Sequence, residues 1–181
     1  MSNEINYGPL RKLIGVWTGD KGMDVAPEED GCERNPYHET ITYADIGHVK
    51  NAESQLLAVI RYHQVVQKKS NNNVFHDQVG YWIWEEKTNT IIHSVTIPRA
   101  VCLLAGGVYD GEVNSSGEVV LQVSAALDDP QWKIIQSPFM ANNAKTISFS
   151  QRVTIGENKM AYKETTVLDI YGKVFDHTDE N

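Results

Sequence analysis

Long hydrophobic runs are missing from this sequence. The longest apolar candidate, residues 100–105, has the length of a strand, whereas a membrane-spanning helix needs about 20 apolar residues. The first four residues, Met-Ser-Asn-Glu, lack the basic start and apolar stretch of a secretory signal. We therefore expect a cytoplasmic protein without a membrane-spanning helix.

Cysteines and basic residues are also few. The only two cysteines, Cys32 and Cys102, have no C-x-x-C spacing, so we expect two free thiols and no disulfide. The 16 basic residues stand against 24 acidic ones, which gives a formal net charge of −8. Nucleic acids and anionic membranes are bound through basic patches, so this balance argues against both as partners.

Sequence signatures of common catalytic sites are absent as well. We find no Ser nucleophile elbow, no phosphate-binding loop, no Cys–His pair with useful spacing and no acidic metal cage. A hydrolase or phosphotransferase therefore has little support.

What the sequence does contain is a pattern of strands. Hydrophobic residues make up 41% of the 181 residues, enough for the core of one domain over residues 1–181. Only residues 7–14 have helical spacing, with Pro9 in a first turn. Alternating or β-branched segments between polar turns predict an opening strand near residues 13–22 and further strands at residues 37–43, 55–67, 74–86, 90–97, 101–113, 118–127, 145–155, 159–170 and 174–175.

Strands of this number and length predict a closed sheet. No long helical crossover separates them, so the pairing should be antiparallel. A sheet of about ten strands must close or fold over to hide its edges, and long hairpins favour an up-and-down barrel with a cavity. We therefore expect an all-β fold, an antiparallel β-barrel of about ten strands with a short N-terminal helical turn.

The Gly15-x-Trp17 start is shared by calycin barrels, which include lipocalins and fatty-acid-binding proteins; we expect Trp17 to plug one end and to donate its N–H to a nearby carbonyl. Later motifs, in order along the chain, are Tyr37-His38-Glu39, Gly47, His76 to Tyr81, Ile92 to Arg99, Ala144-Lys145, Arg152, Met160 to Tyr162, and His177 fifteen residues after Tyr162. In this order the motifs resemble those of the nitrobindin-like haem-binding barrel family.

Three departures from the family pattern concern the expected pocket. Residues 23–35 replace a Tyr-Pro-Thr loop with a longer, acidic one, which should alter the pocket mouth. Gln78 stands where a Glu is expected. The sequence ends at Asn181, where the family continues into a completing strand, so the placement of His177 is left open.

The resemblance implies that His177 is the proximal ligand of a haem iron and that the protein binds or isomerises reactive nitrogen species such as peroxynitrite. The alternative for His177 is a solvated histidine in a polar tail. The other candidate ligand-binding residues each have a structural alternative. His76 and His93 could face the ligand or be satisfied core histidines. Arg152 and Lys145, with Arg99, could meet a ligand carboxylate or face outward. Aromatic residues could line the cavity or form an ordinary core, and these are Tyr43, Tyr62, Tyr81, Trp82 and Trp84.

Two other functions are left open beside haem binding. One is a haem-free carrier or sensor of a small apolar molecule such as a fatty acid, and the other is a barrel filled by its own side chains that acts through its surface. The partner is expected to be haem or another small apolar molecule. Whether the protein forms a homodimer is left open.

Overall fold

The computed structural model describes residues 5–181, and ten of its strands close into one antiparallel barrel. A short 3-10 turn, Gly8–Leu13, precedes the first strand. The strands are β1 (Gly15–Glu28), β2 (Gly31–Asn51), β3 (Gln55–Lys68), β4 (Val74–Glu85), β5 (Thr90–Ile97), β6 (Val101–Val108), β7 (Val119–Ala126), β8 (Ile134–Gln136), β9 (Ala144–Ile155), β10 (Met160–Ile170) and β11 (Lys173–Glu180). One short helix, α1 (Pro138–Asn143), lies between β8 and β9.

The strand order confirms the predicted up-and-down barrel. Neighbouring strands follow the order β5-β4-β3-β2-β1-β11-β10-β9-β7-β6, and β6 pairs back with β5 to close the ring. The extra strand β8 pairs with the first half of β6, while the register pair between β6 and β7 is Gly106 with Ser124. Within the described residues, no helix is long and apolar enough to cross a membrane.

Three local predictions were wrong. Residues 23–35 form no loop, because β1 continues to Glu28 and pairs in register with β2 from Gly31 onwards. The last strand is not a two-residue piece but spans Lys173–Glu180 and is paired with both β10 and β1. Polar residues buried in these segments hid the apolar alternation that marks a strand. The sixth strand ends at Val108, five residues before the predicted end.

A second helical segment, α1, was also missed. Its first turn begins at Pro138, and the backbone N–H of Met140 donates to Ser137 Oγ at 3.3 Å. A serine followed by proline is a typical start of a helix, but a helix of six residues leaves no periodic pattern to detect.

One end of the barrel is filled by side chains. The 3-10 turn places Leu10 and Leu13 in the core, and Trp17 Nε1 donates to the Leu13 carbonyl at 2.8 Å, which confirms the predicted hydrogen bond of Trp17. The two cysteines are free, as predicted. The opposite end, where β10 turns into β11 and β5 turns into β6, contains the main cavity.

Candidate functional site

The open half of the barrel encloses a cavity of about 810 Å³. Its walls are mainly apolar and come from β5, β6, β9 and β10, with Val95, Ile97, Leu103, Phe149 and Leu168 among the lining residues. The volume lies within the range of pockets that enclose most of a small organic ligand, about 300–1,000 Å³. The cavity therefore has the size and character of a binding site for an apolar molecule.

Four segments surround the cavity mouth. Ala26 and Pro27 come from the β1–β2 hairpin, and Tyr171 comes from the β10–β11 turn. The β5–β6 turn contributes residues 98–100, including Arg99, and α1 contributes Phe139 and Met140. The hairpin that was expected to be a loop thus forms part of the mouth.

His177 lies in the cavity wall. On β11, the residue pairs with Thr166 of β10, and its neighbour Thr178 pairs with Val25 of β1. Pairing on both sides places the imidazole in a closed sheet instead of a loose tail. His177 and His76 are the two histidine candidates from the sequence that border the cavity.

A buried carboxylate holds the His177 ring. His177 Nε2 donates to Asp24 Oδ1 at 2.6 Å, and Asp24 is only 2% exposed. The other carboxylate oxygen, Asp24 Oδ2, accepts from Asn35 Nδ2 at 2.7 Å. Burial favours a raised pKa for Asp24, but the hydrogen bonds from His177 and Asn35 outweigh it and lower the pKa. Burial likewise disfavours the charged imidazole, yet the bond to Asp24 and the charge of Asp179 raise the pKa of His177.

Two further acids lie in the same lateral row of the sheet. Asp179 on β11 pairs with Asp24 on one side and with Glu164 on the other. Glu164 Oε2 accepts from Gln151 Nε2 at 3.0 Å. Burial, the charge of Asp179 and the charge of Glu39 raise the pKa of Glu164. Burial also raises the pKa of Asp179, to about 7.

This acidic row, defined as Asp24, Asp179 and Glu164, could not be found from sequence patterns alone. The alternation of β10 does place Glu164 on one face with Thr166 and Leu168, and this signal was available in the sequence. The neighbourhood of Asp24 and Asp179, however, depends on the pairing of the first strand with the last.

Two acids of this row and His177 also offer ligand atoms for a metal ion. One ligand atom each from Asp24, His177 and Asp179 lies within 4.8 Å of the others. Imidazole and carboxylate groups suit iron and zinc. The His177 imidazole at this wall can therefore ligate a metal ion, and the neighbouring carboxylates can accept a hydrogen bond from its other nitrogen.

The other cavity candidate, His76, lies four strands around the barrel from β11, on β4. His76 Nε2 donates to Gln78 Oε1 at 3.1 Å, and Gln78 Nε2 donates to the Tyr62 hydroxyl at 2.7 Å. Burial lowers the pKa of His76, so its neutral form is favoured. His76 and Gln78 therefore give a second polar edge to a largely apolar cavity.

Four predicted ligand residues lie in the filled half instead, namely Tyr43, Tyr62, Trp82 and His93, and none of them borders the main cavity. His93 stacks on Trp82, with ring centroids 4.0 Å apart and an angle of 11° between the planes. These four residues instead border a second void of only about 10 Å³.

The two predicted cationic residues of the last third of the chain do not border the cavity either. Arg152 is exposed on the outer face, where it donates to Gln122 at 3.0 Å and pairs with Glu112. Lys145 lies at the start of β9, in register with Asp169 of β10. Arg99 is the arginine that borders the cavity, at its mouth, and it donates to the Phe75 carbonyl at 3.5 Å.

Comparisons with known proteins agree with the barrel architecture. A family model described as "THAP4-like, heme-binding beta-barrel domain" matches residues 6–181. Among solved structures, the fold is similar to the crystal structure of Rv2717c from M. tuberculosis, with a TM-score of 0.67 and 15% sequence identity over 98% of this chain and 96% of that chain. No curated protein matches the sequence significantly.

Proposed function

Because the chain belongs to the THAP4-like, heme-binding beta-barrel domain family, we propose that its cavity binds haem and that His177 would ligate the iron. The observation that carries this proposal is the position of His177, whose imidazole borders an apolar cavity of about 810 Å³. Histidine in an apolar, partly open pocket is the usual ligand arrangement for haem iron.

The other residues around the cavity fit the group as well. Apolar residues such as Val95, Leu103 and Phe149 would contact the porphyrin. Arg99 borders the mouth, where haem carboxylates would stay in contact with water, and an arginine pairs well with carboxylates.

The bound haem would supply an iron that can bind a small ligand. The protein would hold the haem, orient its histidine ligand and provide the surroundings of the bound small molecule. Asp24 fixes the His177 ring, the apolar walls limit water, and His76 and Gln78 offer a hydrogen-bonding edge to a bound molecule. By resemblance to nitrobindin-like barrels, we propose a reactive nitrogen species as that molecule, with isomerisation of peroxynitrite to nitrate as the reaction.

The acidic row disfavours the fatty-acid carrier. A fatty-acid carboxylate inside the barrel would need a cationic partner, but Asp179 and Glu164 border the cavity and Arg152 faces outward. Burying a carboxylate beside acids that offer it no positive charge is costly. A ligand that keeps its carboxylates at the mouth, as haem would, avoids this cost.

A hemin titration tests the proposal. We expect purified protein to shift the Soret band saturably, His177→Ala to lose this spectrum, and His63→Ala to keep it, because His63 is an exposed histidine paired with Asp77. An unshifted band for the unaltered protein, or an unchanged spectrum for His177→Ala, would contradict the proposal. Native mass spectrometry of the purified protein adds a check, since a lipid-sized mass would support the carrier instead.

A further inference from the structure

A hydrogen bond behind the candidate iron ligand leads to a further inference, which rests on the proposed haem site. We propose that Asp24 is a positioning residue for His177, which fixes the ring orientation and the protonated nitrogen of the imidazole and makes it a stronger electron donor to iron. Nothing in the sequence pattern pointed to Asp24, because it lies in the segment that was expected to be a loop.

The geometry of the pair supports this role. His177 Nε2 and Asp24 Oδ1 are 2.6 Å apart, a short distance typical of a charge-assisted hydrogen bond. In the neutral imidazole, the form that a metal binds, the proton is thereby held on Nε2 and Nδ1 keeps the lone pair. A carboxylate behind a metal-bound histidine raises the basicity of the ligand in many metal sites.

Asp24 is also held rigidly. Asn35, its register partner on β2, donates to Asp24 Oδ2 and leaves Oδ1 free for His177. On the other side of β1, Asp24 pairs with Asp179 of β11. Three neighbouring strands thus fix the carboxylate before any ligand enters.

Asp179 is a weaker candidate for the same role. Its Oδ2 atom lies 3.4 Å from His177 Nε2, against 2.6 Å for Asp24. The Asp179 side chain is 26% exposed, whereas that of Asp24 is 3% exposed. A hydrogen bond weakens with length and with access to water, so Asp24 is the main acceptor.

Asp24→Asn tests the proposal, with Asp176→Asn as the matched control. Both changes remove one negative charge, but Asp176 is exposed on β11 next to His177. In haem-loaded protein, we expect Asp24→Asn to weaken hemin binding by about 10- to 100-fold, the usual effect of losing such a partner. The iron–histidine stretching frequency should fall and the reduction potential should rise, while Asp176→Asn leaves all three unchanged.

Loaded Asp24→Asn protein with the stretching frequency and potential of the unaltered protein would overturn the proposal. If Asp24→Asn fails to fold, Asn35→Ala replaces it, because this change keeps the carboxylate but removes the bond that orients it. Asn35→Ala should then give a smaller shift in the same direction, and no shift would count against the role of Asp24.

A measurement without haem separates this inference from the proposed function. Nitrogen-15 NMR of the apoprotein at one pH identifies which ring nitrogen of His177 carries a hydrogen-bonded proton. We expect Nε2, with the signal altered in Asp24→Asn and retained in Asp176→Asn. A His177 ring without a hydrogen-bonded Nε2 proton would overturn the inference, whereas an unshifted Soret band of the unaltered protein would remove the haem site instead.

Discussion

His93 is a histidine kept neutral in the filled half of the barrel. Its side chain is 1% exposed, and neither ring nitrogen has a partner among residues 5–181. Burial lowers the pKa of His93 to about 3. Stacking on Trp82 and contact with Tyr62 and Phe149 hold the ring as an aromatic side chain, so its packing matters more than its charge.

His93→Phe should reduce the acid sensitivity of the fold. The folded pKa of about 3 lies below the usual value of 6.5, so the unfolded chain binds the proton first. Stability is therefore present above pH 6.5 and is lost as the pH falls towards 3, by at most about 1.4 kcal/mol per pH unit. Urea unfolding of the apoprotein between pH 7 and pH 4 should show a shallower decline for His93→Phe.

His63→Phe provides the control, because His63 is exposed on the outer face. The free energy of unfolding of His63→Phe should fall between pH 7 and pH 4 as steeply as that of the unaltered protein. If the free energy of unfolding fell equally for His93→Phe and the unaltered protein, His93 would not be the neutral group described above.

At the level of the strands, the close approach of β4 to β5 depends on one glycine. A Cβ atom on Gly80 would lie 1.9 Å from the Ser94 carbonyl oxygen, which belongs to the backbone of β5 and cannot move aside. Gly80 pairs with Val95, a residue of the cavity wall. The glycine thus allows the close approach of the two strands beside the cavity.

Gly80→Ala should destabilise the protein by about 2 kcal/mol or more, since overpacking a tight contact forces the strands apart. Gly156→Ala is the control: its Cβ would meet only the flexible Glu118 and Lys159 side chains, at 3.2–3.4 Å. Denaturant midpoints compare the two variants. A Gly80→Ala midpoint equal to that of Gly156→Ala would show that β4 and β5 separate at little cost.

The strands differed in how well the sequence predicted them. β5 was predicted with its observed bounds, because Ile91, His93 and Val95 recur at every second position and share one face of the strand. The β1–β2 hairpin and most of β11 were not predicted from the sequence, since their inward positions carry Asp24, Asn35 and Asp179 instead of apolar residues.

The candidate site was partly accessible from the sequence. The resemblance to a known family indicated His177 and His76 before any coordinates. The neighbours of His177 were not accessible, because Asp24 and His177 are 153 positions apart and meet only when the barrel closes between β1 and β11. A local pattern contains no information about such a pairing.

The whole barrel combines a filled half with a hollow one, and the hollow half is lined by the two acids Asp179 and Glu164. Asp24, Asp179 and Glu164 form a row in which the nearest imidazole is that of His177. Like charges that share a buried wall favour proton uptake. The folded barrel should therefore bind more protons near neutral pH than the unfolded chain does at these carboxyls.

Glu164→Gln should make the apoprotein more tolerant of high pH. The folded pKa of Glu164 is raised above its usual value of 4.5, so its stabilising contribution is complete below pH 4.5 and is lost as the pH rises through the folded pKa. Glutamine cannot ionise and keeps an oxygen for Gln151, whose amide donates to Glu164. Urea unfolding at pH 5, 6, 7 and 8 should show a growing advantage of Glu164→Gln over the unaltered protein.

Glu180→Gln is the control, because Glu180 is exposed on β11 and removing it changes the net charge equally. It should show no growing advantage. If Glu164→Gln also gained nothing between pH 5 and pH 8, the buried row would not retain a proton. Since His93 destabilises the fold in acid and Glu164 destabilises it in base, the two effects oppose each other between their usual pKa values of 4.5 and 6.5, and the unaltered apoprotein should be most stable in that range.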